Sequence, residues 1–251
     1  MNNALTALLL LAVLVGVVLI GRSVRRHLPD HHLSPDSKDA VKLAMGLVAT
    51  MTALLLGLLV SSAKGTYDTQ RTEVIQMASK ITFLNRVLKA YGPEAAEARA
   101  QFRAAVESAV QSLWPRQEGG RVDSNPSMSA GDAVYAAIEQ LSPHDEVQRA
   151  LKAQAATLAV DLGQLRMLLL AQMVPSIPRA LLVSVVCWLL IIFLGFSLLA
   201  PPNATTTLAL VAAALSVAGA VFLIMELDQP LGGLIRISSQ PMINALNQLA
   251  R

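Results

Sequence analysis

Val41-Lys-Leu-Ala-Met-Gly-Leu-Val-Ala-Thr-Met-Thr-Ala-Leu-Leu-Leu-Gly-Leu-Leu-Val60 is twenty residues long and carries one charge, Lys42, at its edge. A helix of about 20 apolar residues crosses the ~30 Å hydrocarbon core of a bilayer. No water is available there, so the backbone must satisfy its own hydrogen bonds. Three further runs have the same character, at 4–21, 180–200 and 205–225. The chain is therefore expected to be all-α and polytopic, with two membrane helices near each end. About 110 polar-helical residues lie between the pairs.

Composition agrees. Apolar residues make up 54% of the chain and charged residues 15%, against about 25% charged in soluble domains. Residues 22–42 carry five Lys/Arg against three Asp, whereas 64–166 carry twelve of each sign. A neutral middle region argues against a nucleic-acid partner. Cys187 is the single cysteine and forms no intrachain disulfide. The first run has no basic residue before it and no Ala-x-Ala site after it, so it reads as a retained span. Arg22, Arg25 and Arg26 follow it directly. By the positive-inside rule they keep the first loop in the cytoplasm. Both termini and the central region are then expected outside.

The second span is expected to continue into water as one rod. Ser34-Pro35-Asp36 supplies an N-cap, a proline at the first helical position and an early acid. No strong breaker follows before Tyr91-Gly92-Pro93. Along the rod Val74, Met77, Ile81, Leu84, Leu88 and Tyr91 alternate at three and four residues, the spacing of a coiled-coil seam. A helix over 93–114 places Ala98, Phe102, Ala105, Ala109 and Leu113 on one face. Residues 115–129 read as a loop around Gly119-Gly120 and Asn125-Pro126, and a short helix follows near 131–141. Ser142-Pro143-His144-Asp145 marks another helix start with Ser142 as cap. Leu151, Ala155, Leu158, Leu162, Leu165 and Leu169 form a second seam behind it.

Divided this way, the chain has a first span at 1–21, a basic loop and helix start at 22–40, and a second span at 41–65. An aqueous helical bundle fills 66–178, drawn out from helices 2 and 3. The third and fourth spans occupy 179–200 and 204–226, joined by a tight hairpin at Pro201-Pro202-Asn203-Ala204. Residues 227–251 form an interfacial tail, with 242–251 as an amphipathic helix on the membrane surface.

Two features invite a functional reading. Ala49, Ala53, Gly57, Ser61 and Gly65 stripe the second span at every fourth position, and Ala212, Ser216 and Ala220 do so on the fourth. Small residues let helix backbones approach closely in lipid. The stripes serve packing within one subunit, a subunit contact, or the wall of a narrow pore. Glu226 and Asp228 end the fourth span. They lie in the headgroup zone or, if several copies gather them into a ring, form an ion vestibule. His27, His31 and His32 lack the spacing of a metal site and read as an interfacial loop. No nucleophile elbow, phosphate loop, His-Glu-x-x-His or Cys pair is present, so no catalytic, cofactor or metal residues are named and no enzyme is expected.

Several blocks together resemble the bacterial bestrophin-like integral membrane proteins, a domain of unknown function. They are Leu28-Pro-Asp-His-His-Leu33, Ser62-Ala-Lys-Gly-Thr-Tyr-Asp-Thr-Gln70, Phe196-Ser-Leu-Leu-Ala-Pro201, Phe222-Leu-Ile-Met-Glu-Leu-Asp-Gln-Pro230 and Ile235-Arg-Ile-Ser-Ser239. The resemblance implies a multi-pass protein of the bacterial inner membrane. It also implies kinship with bestrophins, pentameric anion channels whose second helix lines the pore and whose termini and middle region are cytosolic. That orientation opposes the one the arginines give. The expected function is a channel-like homo-oligomeric pore for small ions in a lipid bilayer. The alternative is a membrane-anchored sensory or interaction module, whose 66–172 segment would fold and bind a partner alone.

Overall fold

A computed structural model describes residues 3–27, 35–114, 127–172, 177–201, 203–230 and 232–249. The expected Ser34 cap, His31 and His32, the Gly119-Gly120 and Asn125-Pro126 loop, and Pro175 lie outside them. The described elements are helical: α1 (Asn3–Arg25), α2 (Pro35–Tyr91), a 3₁₀ turn (Pro93–Ala95), α3 (Ala96–Leu113), α4 (Ser127–Glu139), α5 (Glu146–Ala171), α6 (Arg179–Leu199), α7 (Ala204–Leu227) and α8 (Gln240–Leu249). Helices α1, α2, α6 and α7 are long and apolar enough to cross a membrane. The protein is an all-α polytopic membrane protein. Two compact units divide it, one of Met1–Thr66 with Pro175–Gln229 and the other of Tyr67–Val174 with Pro230–Arg251.

The first unit holds the apolar helices. Leu10, Leu14, Val18 and Gly21 form the buried side of α1, which packs on α6 and α7. Gly21 is required by a close approach. A Cβ there would lie 2.7 Å from Ser197 Oγ and 2.8 Å from Ser197 Cβ. The Ser197 hydroxyl donates to the Val18 carbonyl at 2.5 Å, which satisfies a polar group buried in α6. Gly195 likewise leaves room for Met45 of α2. At its ends α1 is tied to α7. Asn3 Nδ2 donates to Met225 O at 3.2 Å and Glu226 Oε1 at 3.1 Å. Arg22 donates to Thr207 Oγ1, and to Asn203 O at 3.2 Å. Helices α1 and α7 therefore run antiparallel, and the end of α1 lies on the same side as the α6–α7 hairpin. Asn203 caps α7 by accepting from Thr206 N at 2.8 Å, the expected role of Asn at a helix start.

On helix α7 the row of Ala212, Ser216 and Ala220 does not serve packing within one subunit, which leaves its other two alternatives open. The helix's packed small residues are Ala214 and Ala218, followed by Val221 and Ile224. Ala212 and Ser216 are exposed and Ala220 is half-buried. Two parallel rows of small residues exist on this helix, and spacing alone cannot say which one faces protein.

The second unit has its own core. All six residues of the α2 seam are buried, from Val74 to Tyr91. Ala98, Phe102, Ala109 and Leu113 of α3 join them with Val106, while Ala105 stays half-buried. The α5 seam is less complete: Ala155 and Leu169 are buried, and Leu151, Leu158, Leu162 and Leu165 pack against the core only partly covered. Helix α5 starts one turn later than expected. Its cap is Asp145, accepting from Gln148 N at 2.7 Å, rather than Ser142. Asp is as good a cap as Ser, so the sequence permits either register.

The tail differs more. Residues 240–249 are helical, but Met242, Ala245 and Leu249 are buried in the core of the second unit. Trp114 Nε1 donates to Ile237 O at 2.9 Å and Asn85 Nδ2 to Gln248 O at 3.3 Å. The apolar side expected to face lipid covers protein instead. An amphipathic pattern specifies an apolar neighbour without specifying which one.

Candidate functional site

The membrane half of α2 buries a narrow line in the first unit: Met45, Thr52, Leu59 and Ala63. The small-residue stripe lies off that line. Ala53, Gly57, Ser61 and Gly65 are exposed and Ala49 is half-buried. A Cβ added to Gly57 or Gly65 would meet none of the described residues within 4 Å. Packing within one subunit therefore does not account for the stripe. From Ala49 to Gly65 it extends roughly 24 Å at 1.5 Å per residue. It carries no charge, and its polar atoms are the Ser61 hydroxyl and carbonyls already bonded along the helix. Thr50 and Thr66 turn their hydroxyls onto Gly46 O and Ser62 O, at 2.9 and 3.2 Å. Leu43, Leu47, Leu54 and Leu58 are exposed on the other sides of α2. These apolar surfaces need lipid or another copy of the chain.

The carboxylates at the end of α7 are enclosed by their own unit. Glu226 and Asp228 are 3% and 7% exposed within the protomer. Glu226 accepts the Asn3 amide, as described above. Nothing in the sequence around Asn3 announces this contact, because residues 3 and 226 meet only through the antiparallel pairing of α1 and α7. Among the described residues no three His, Cys, Asp or Glu side chains gather as a metal site. His27 donates from Nδ1 to Ser23 O at 3.0 Å, closing its own helix.

Within the second unit lies a cleft of about 380 Å³ between α2, α3, α4 and α5. Its deep wall is Met77, Ile81, Leu84, Phe102, Val106 and Val134, all buried. Ala105, Ala109, Gly131, Ala159 and Gly163 leave the space open, and Arg166, Asp132 and Tyr135 supply the polar atoms. Burial of the Arg166 guanidinium lowers its pKa from the usual arginine range. Polar ties hold α5 to α2 along its length. Gln148 Nε2 donates to Tyr91 O at 3.1 Å, Lys80 pairs with Asp161, and Gln172 Nε2 donates to Glu73 Oε1 at 3.1 Å. The heptad spacing of α5 does not disclose the cleft. Its trace was Gly163, a glycine inside a helix with no turn to make.

Residues 12–242 match the bestrophin-like domain. The chain belongs to the bestrophin-like family. Solved structures share its fold. A variant of a bacterial bestrophin homologue from Klebsiella pneumoniae aligns with a TM-score of 0.72 at 15% identity, over 98% of this chain and 99% of that one. Another variant of the Klebsiella pneumoniae homologue gives 0.74 at 15% identity, over 98% and 100%. A structure described only as a membrane protein gives 0.75 at 15% identity, over 96% of each chain. No curated protein matches the chain. Membership places this bestrophin-like chain among channel-like membrane proteins.

Proposed function

We propose that this bestrophin-like chain assembles as a homo-oligomer around a channel-like pore for small ions, with Ala49, Ala53, Gly57, Ser61 and Gly65 of α2 on the pore wall or at the subunit contact beside it. The observation that carries this reading is that the stripe has no packing partner among the described residues of the protomer. Charge-free small residues let helices approach around an axis and leave room between them. We assign Glu226 and Asp228 to the cohesion of the first unit rather than to an ion vestibule, because both are buried and Glu226 accepts from Asn3. No catalytic step, cofactor or metal enters the proposal.

Purified protein in liposomes should conduct ions, and Ser61→Cys should keep that flux while becoming sensitive to a bulky thiol reagent. Wild-type protein silent across voltage, pH and ion conditions would count against the pore. If the reagent leaves flux through the Ser61→Cys protein untouched, α2 is removed from the pore wall. The second reading, a sensory or interaction module, is favoured by the open cleft of the second unit. Its isolated form must contain residues 67–174 together with 230–251, since α8 completes the core; the 66–172 segment alone lacks that helix. For orientation, the basic 22–42 segment supports a proposal with both termini and the central bundle outside a bacterial inner membrane. A reporter at Arg251 active in the cytoplasm would reverse that placement.

A further inference from the structure

We infer that the cleft of the second unit is a binding site for a monoanionic amphiphile, an aliphatic carboxylate of medium chain length, held with its apolar chain against α2 and α3 and its carboxylate at Arg166. The volume, about 380 Å³, falls at the lower end of small-molecule sites, which run from ~300 to ~1,000 Å³. Its wall is continuous and apolar, from Met77 and Ile81 to Phe102 and Val106. The rim is unusual for a water-exposed face: Tyr135, Val160 and Met167 all line the cleft and are exposed.

The space is built in rather than left over. Gly163 sits inside α5 and Gly131 inside α4. Among the described residues, an added Cβ would meet nothing within 4 Å at either position. A helical glycine is less stable than alanine, and neither helix needs it for packing or for a turn. What the two glycines do provide is room. The ties from α5 to α2 at Gln148–Tyr91, Lys80–Asp161 and Gln172–Glu73 hold the walls at fixed separation, which opposes collapse.

Charge selects the occupant. Arg166 is half-buried, and its planar guanidinium matches a carboxylate. Asp132 also lines the cleft but is exposed, so water weakens its field more. Its negative charge still disfavours a dianionic headgroup. One negative charge on a chain that fills an apolar slot is the chemistry these groups recognise.

The test uses the full chain in nanodiscs of zwitterionic lipid, with octanoate and 1-octanol as probes and empty discs as the reference for partitioning. Octanoate should bind saturably, one per protomer, and more tightly than 1-octanol. Arg166→Gln should weaken octanoate at least about tenfold, the scale of a charge-assisted hydrogen bond, and leave 1-octanol unchanged. Gly163→Leu should abolish both. If that variant does not fold, Gly163→Ala adds one methyl to open space and should weaken decanoate more than hexanoate. Partitioning equal to empty discs, equal affinity for acid and alcohol, or a Gly163→Ala variant without chain-length effect would overturn the assignment. The ion-flux measurement is independent, so failure of this site leaves the pore reading standing, and the reverse.

Discussion

Replacing Gly21 by alanine should loosen the first unit through one contact. The new Cβ would sit 2.7 Å from Ser197 Oγ and 2.8 Å from its Cβ, with Leu194 Cδ1 at 3.4 Å. Relief requires α1 and α6 to separate by about 0.6 Å or more, since ordinary carbon contacts begin near ~3.5 Å. Overpacking of this kind costs ~1–3 kcal/mol. The same separation stretches the Ser197–Val18 hydrogen bond from 2.5 Å, and such bonds in a membrane are worth ~0.6 kcal/mol on average. Alanine returns ~1 kcal/mol of helix propensity. The net loss is therefore about 0.6–2.6 kcal/mol, or roughly 1–10 °C in Tm by the scaling of soluble domains. Thermal unfolding in detergent, followed by circular dichroism, measures it. Ser197→Gly in the same chain removes both opposing atoms and should restore most of the loss. A Gly21→Ala protein as stable as wild type would refute the reasoning. So would a loss that Ser197→Gly leaves unchanged, because the clash would then not be its cause.

Other substitutions probe the second unit. Lys152 Nζ donates to Glu139 O at 2.6 Å and Leu141 O at 3.0 Å, satisfying carbonyls at the end of α4; Lys152→Met should cost ~1–2 kcal/mol and speed amide exchange in α4 selectively. Gly163→Ala, entering open space, should raise the unfolding midpoint by the equivalent of ~0.5–1 kcal/mol; a decrease would mean the site is more crowded than it looks. Tyr91 is buried and its hydroxyl has no hydrogen-bond partner among the described residues. Burial first, then Glu94 and Asp145, raise its pKa above the ordinary 10.0. The unfolded chain thus loses this proton before the folded one, so stability present below pH 10 declines as pH rises beyond it. Tyr91→Phe should remove that alkaline decline and leave neutral-pH stability unchanged or higher, as denaturant titrations at both pH values would show.

Much of the fold was legible because lipid imposes a length and heptads impose a period. The α2 seam from Val74 to Tyr91 follows from spacing alone, since few other arrangements bury six residues on one side of a rod. Choices between equivalent faces were not legible. Ala212, Ser216 and Ala220 show the same pattern as the row that packs, and Asp145 competes with Ser142 for the α5 cap. Partners distant in sequence were silent too: nothing near Asn3 points to Glu226, and nothing near Gly21 points to Ser197. For the candidate site, the sequence located the stripe on α2 but not its outward exposure, which depends on where Met45, Thr52, Leu59 and Ala63 are drawn. The cleft left only Gly163 and Gly131 as a trace, each ordinary when read by itself.

The burial of α8 sets an order of assembly. Met242, Ala245 and Leu249 belong to the same core as Val74 and Phe102, yet the ribosome makes them after α6 and α7. Both of those spans must therefore be synthesised before the core can receive its last side chains. Throughout that interval the Asn85 amide and the Trp114 indole wait for the carbonyls of Gln248 and Ile237. A chain that emerges from its N-terminus can collect α2 to α5 early, but it holds the core those helices share open while two further spans are made. Synthesis of the fourth span, rather than of the helices that make up most of the second unit, is the step before which that unit cannot become native.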